Sequence, residues 1–155
     1  MKKTLNNNLD QWVDSLPKNS WCATSVSNIK FEEQKSKIVF VNRKDNECLK
    51  INVDGGIVST AESFFRCDKL LVDKSKLLFC FVELKGGDIE HAIEQLESSL
   101  KDSRLNPKCS QEKKAFIVGK NHYPVSSPLI QNGMKRLKCL NAGLIVRNTP
   151  ATYIL

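Results

Sequence analysis

No run in this 155-residue chain is long or apolar enough to cross a membrane, and its first ten residues, MKKTLNNNLD, lack the apolar centre of a signal peptide. A cytoplasmic protein with no membrane partner is the expectation. Nothing repeats internally, and no segment is of low complexity. The six cysteines contain no Cys-x-x-Cys pair, the closest two being Cys67 and Cys80, so a zinc-built scaffold finds no support in their spacing. Reduced, structural thiols are expected instead. No dimer signature is visible. A hydrophobic fraction of 41% is ordinary for a globular protein, and the length suits one domain spanning residues 1–155.

Charge is present but unevenly placed. From residue 101 onward ten Lys and Arg face two acids, whereas the first hundred residues carry 14 basic and 15 acidic groups. The net +7 is therefore a property of the last third. Such a surface suits a polyanion, although it also serves simply to solubilise.

The chain is organised around residues 66–101, RCDKLLVDKSKLLFCFVELKGGDIEHAIEQLESSLK. Two apolar strands are expected, joined by a turn at Ser75 and Lys76. That register sets Asp68 opposite Glu83, Leu70 opposite Phe81 and Val72 opposite Phe79. Side chains two apart share a face, so Asp68, Glu83 and Lys85 cap one apolar floor. Both faces of the pair are apolar, the pattern of central strands covered on each side. Buried charge of this kind needs a reason. One reason is an ion pair of Lys85 with the two acids; another is a site. Gly86 and Gly87 end the second strand, and Asp88 is a suitable N-cap. Ile89, Ala92, Ile93, Leu96 and Leu100 then form an apolar helical stripe bordered by Gln95.

Elsewhere, a helix is expected around Leu9–Leu16 behind a frayed start, and the region 18–37 is ambiguous. A strand at Ile38–Asn42 turns at 43–46 and returns over Cys48–Val53. Asp54-Gly55-Gly56 is a turn signal, after which Ile57–Ser59 can begin a strand. Ala115–Gly119 reads as a parallel strand following the crossover helix. Lys120 and His122 follow at its exit, where His122 either touches phosphate or is a bystander. Ser127-Pro128 opens a basic helix carrying Lys135, Arg136 and Lys138, and residues 144–155 read as a hairpin around Asn148–Pro150.

An acid, a strand ending in Glu-x-Lys and a following helix resemble the PD-(D/E)XK nuclease superfamily, over roughly residues 38–120. The resemblance implies an α/β, restriction-endonuclease-like αβββαβ core, a mixed sheet flanked by helices, followed by the basic helix and hairpin of residues 127–155. It implies a metal-dependent nuclease that hydrolyses DNA phosphodiesters with Mg2+ or Mn2+. Asp68 and Glu83 match the metal-binding acids, Lys85 the lysine and Gln95 the helical glutamine of some members, with the backbone carbonyl of Leu84 as a further ligand. Such sites are often assembled as homodimers that cut two strands together. Cys67 stands where the motif has proline. The acid that many members add from the first helix has four candidates here: Asp14, Glu32, Glu33 and Glu62. Lys120, Lys135, Arg136 and Lys138 are the expected nucleic-acid contacts. The alternative is a non-catalytic module that keeps this fold to bind nucleic acid or protein.

Overall fold

A computed structural model describes residues 2–62, 65–84, 88–120 and 124–155. Its centre is the hairpin of β5 (Lys69–Asp73) and β6 (Leu78–Glu83). The register is the one the alternation implies, with Leu70 against Phe81 and Val72 against Phe79. The turn is held by Asp73, whose Oδ1 accepts from the Ser75 amide at 3.0 Å and hydroxyl at 2.8 Å. All six residues of β6 are buried, because the sheet is covered on both faces.

Around this hairpin lies a mixed six-stranded sheet in the order β1-β4-β5-β6-β7-β8, built with β1 (Trp21–Thr24), β4 (Cys48–Asn52), β7 (Glu112–Gly119) and β8 (Ala142–Asn148). The strands β4, β5 and β6 form an antiparallel meander. After α2 (Ile89–Lys101) the chain enters β7 parallel to β6, and after α3 (Pro128–Lys138) it enters β8 parallel to β7. Asp88 caps α2 by accepting from the His91 amide at 3.1 Å. Its stripe of Ile89, Ala92, Ile93, Leu96 and Leu100 is buried as the spacing requires. Helix α3 lies close against α2, where a Cβ on Gly133 would come within 2.6 Å of Ile93 Cδ1. Together with α1 (Lys2–Ser15), these helices pack on the face carrying Leu49, Leu70, Phe81 and Ile117.

The opposite face is covered by strands. A second sheet, β2-β3-β9, is made from β2 (Asn28–Glu33), β3 (Ser36–Val41) and β9 (Ala151–Ile154). Its Ile29, Phe31, Ile38 and Phe40 pack on Cys48, Cys80, Val82 and Phe116. Phe116 meets Phe40 and Tyr153 edge-on, with ring centroids 5.2 and 4.9 Å apart.

Several local expectations are corrected. Helix α1 starts at Lys2, with no frayed leader of eight residues. The strands β3 and β4 do not pair with each other, because they belong to different sheets. Residues 57–59 contribute one isolated bridge, Asp54 to Val58, and no strand. The final hairpin is absent: β8 extends the large sheet beside β7, whereas β9 crosses to pair in parallel with β3. No helix among the described residues is long and apolar enough to cross a membrane.

Candidate functional site

One end of the large sheet gathers the acids. The parallel strands β6 and β7 both finish there, β5 begins there and β4 runs into it. Asp68 stands directly before β5, and its amide donates to the Val82 carbonyl at 3.1 Å. Extending the hairpin register by one residue sets it across from Glu83. The Asp68 carbonyl accepts from the amides of Val53 at 3.1 Å and Asp54 at 3.3 Å, which stitches it to the end of β4. Its side chain turns toward β6, where Oδ2 accepts from the Leu84 amide at 2.7 Å. Asp68 is only 2% exposed and Glu83 1%.

Two further acids meet Asp68. Carboxylate oxygens of Glu33, Asp54 and Asp68 lie within 4.8 Å of one another. Glu33 arrives from the end of β2, on the smaller sheet. Asp54 is presented by the turn after β4, where Gly55 adopts a φ of +74° and a Cβ on Gly56 would lie 2.1 Å from the Asn52 carbonyl oxygen. The turn signal was legible, but its use for placing a carboxylate was not. Of the four acids considered for an additional role, the structure brings Glu33 to Asp68. Glu32 pairs with Lys30 at 3.2 Å, Glu62 with Arg104 at 3.3 Å, and Asp14 lines a shallow pocket with Lys18 and Trp21.

The helix layer steadies this end of the sheet. The Gln95 amide donates to the Arg66 carbonyl at 3.2 Å, and the Cys67 amide donates to the Ser99 hydroxyl at 2.9 Å. Gln95 therefore grips the segment just before Asp68. The Cys67 thiol is pushed up to about 12 by burial, and the Glu83 and Asp68 carboxylates add to the effect against the lowering hydrogen bond from Ser99. Among the described residues, the one cluster with metal-ligand geometry is the carboxylate group, and none is built on cysteine. All six cysteines are free, four of them buried.

No protein-family model, curated protein or solved structure matches this chain. The chemistry of the site thus rests on its own atoms. Three carboxylates at this separation are hard oxygen donors, a set that could share a divalent cation such as Mg2+ or Mn2+. Lys85 and His122 lie outside the described residues. Leu84, fully buried, meets Asp68 through its amide.

The basic residues divide between the two ends of the sheet. Lys120 is exposed at the exit of β7, the same end as the acids. Lys135, Arg136 and Lys138 lie in the last turn of α3, which has by then run back toward the start of β8. That turn stands roughly 10–15 Å along the helix from its first residue. Arg136 is also engaged there by Glu97 of α2.

Proposed function

We propose that the protein is a divalent-metal-dependent nuclease acting on phosphodiester bonds, with a restriction-endonuclease-like core formed by α1, β4, β5, β6, α2 and β7. One observation carries the reading. The buried Asp68 carboxylate sits against the Glu83–Leu84 backbone, 2.7 Å from the Leu84 amide, while Glu33 and Asp54 bring two more carboxylates within 4.8 Å. Carboxylate oxygens gathered from three separate segments are the donor set a divalent cation takes.

Asp68, Glu33 and Asp54 would hold Mg2+ or Mn2+, with Glu83 and the Leu84 carbonyl completing the set from β6. The bound ion would supply Lewis-acid polarisation of a phosphoryl oxygen and a water of lowered pKa. Asp68 is buried whereas Glu33 and Asp54 are half-buried, so a phosphate would approach from the side of the latter two. Lys85, two residues beyond Glu83, would orient the attacking water or stabilise charge developing on phosphorus. DNA is the expected substrate.

Incubation with duplex, single-stranded and branched DNA, with Mg2+, with Mn2+ and with chelator, tests the reading. Metal-dependent cutting is expected, reduced at least about a hundredfold by Lys85→Ala or Asp68→Ala. Failure on every substrate, or equal cutting by Lys85→Ala, would overturn it. Binding without cutting would assign a non-catalytic module.

A further inference from the structure

Beside the acidic cluster, on the face away from the helices, the two sheets part to leave a groove of about 410 Å3. One wall is β2, with Lys30 and Phe31; the other is formed by β1, β4 and β5, with Cys22, Lys50, Asn52 and Lys69. Each wall continues into the cluster. Lys69 is next to Asp68, Asn52 is two residues before Asp54, and Phe31 is two residues before Glu33.

The cationic character of the groove is held in place. Lys50 Nζ stands 5.2 Å from the Phe31 ring centroid, and Lys69 Nζ donates to the neutral Asn52 Oδ1 at 2.9 Å. Neither contact cancels a charge. Lys30 is balanced by Glu32 at 3.2 Å, so Lys50 and Lys69 supply the net positive charge of the groove. The same volume is within the range of sites that enclose one small molecule or one monomer of a polymer. A duplex could only lie across its mouth.

We propose that this groove binds a single polynucleotide strand and leads it to the carboxylates, with backbone phosphates on Lys50 and Lys69. The inference rests on the nuclease reading for its direction but not for its occupant. A cationic channel that follows a phosphate backbone is the form single-strand recognition takes. The basic last turn of α3, at the far end of the sheet, is not part of this track.

Fluorescence anisotropy of labelled dT and rU oligonucleotides, in chelator so that no cutting occurs, measures the groove alone. Both single strands should bind more tightly than a blunt duplex of equal length, the DNA and RNA arms deciding which polymer is preferred. Lys50→Ala with Lys69→Ala should weaken binding several-fold and flatten the salt slope by about 0.7 per lysine removed. Lys50→Arg with Lys69→Arg should retain binding, which separates charge from folding. Lys108→Ala, an exposed lysine outside the groove, should leave it unchanged. Cys22 and Cys139 are both exposed, and only Cys22 lines the groove, so bound oligonucleotide should protect Cys22 from maleimide and leave Cys139 reactive. Equal binding by the double alanine variant, preference for duplex, or undiminished labelling of Cys22 would each overturn the proposal. Cutting with unimpaired binding by that variant would discard the groove and keep the nuclease. Protected Cys22 without cutting on any substrate would do the reverse.

Discussion

At the scale of single residues, Asp68 has two duties that substitutions can separate. Its Oδ2 satisfies the buried amide of Leu84, and its charge stands among those of Glu33 and Asp54. Asp68→Asn keeps an oxygen for the amide and removes the charge. Without metal this variant should melt above the wild type, by about 2–4 °C for each kcal/mol of repulsion relieved, and the rise on adding Mg2+ or Mn2+ should vanish. Asp68→Ala strands the amide and should lose about 1–3 kcal/mol. Melts in chelator and in excess Mg2+ check both. An Asp68→Asn protein clearly less stable than wild type without metal would make Asp68 a structural partner of Lys85. The pairing of Asp68 with the Glu83 position was legible because period-two alternation and one turn fix a hairpin register. Glu33 was one of four indistinguishable acids, since its approach depends on a sheet whose strands lie far apart in sequence.

At the scale of elements, α2 anchors the chain entering β5. Asp102, the C-cap of α2, accepts from Arg66 Nε at 2.9 Å and Arg104 Nη2 at 2.7 Å. Arg104 foremost, and Arg66 after it, hold the Asp102 carboxyl at about 2, below its ordinary 3.8. A pKa lowered by folding stabilises the native state fully above the unfolded value and loses that contribution as pH falls through the folded one. The clamp should therefore contribute about 2 kcal/mol above pH 4–5 and fade toward pH 2. Asp102→Asn should lower the urea midpoint at pH 6 and narrow the gap to wild type near pH 2; an unchanged gap would mean the clamp carries no proton linkage. The elements that alternation and capping define locally, namely β5, β6, α2 and β7, were readable from the sequence. The partners of β3, β4, β8 and β9 were not, because neighbouring strands with a polar turn between them resemble a hairpin whether or not they share a sheet.

At the scale of the whole molecule, both hydrophobic layers press on the same strands. Phe79 and Phe81 serve the helix side of β6, and Cys80 and Val82 the other. The protein should unfold in one step, with near- and far-ultraviolet dichroism giving coincident urea transitions. Phe40→Ala, in the smaller sheet, should cost about 3–5 kcal/mol and move both transitions together. A separate early transition in that variant would show the smaller sheet to be an independent unit. The pairing of β3 with β9 joins Ile38 to Ala151, the strand pairing most distant in sequence among the described residues. On the ribosome, Asp54, Asp68 and Glu83 emerge long before β9 can dock, and β3, the strand that carries the Glu33 hairpin, gains its second neighbour only with β9. The last carboxylate is thus secured late, so a nascent chain would carry Asp54, Asp68 and Glu83 in place for some time before the cluster around Asp68 is complete.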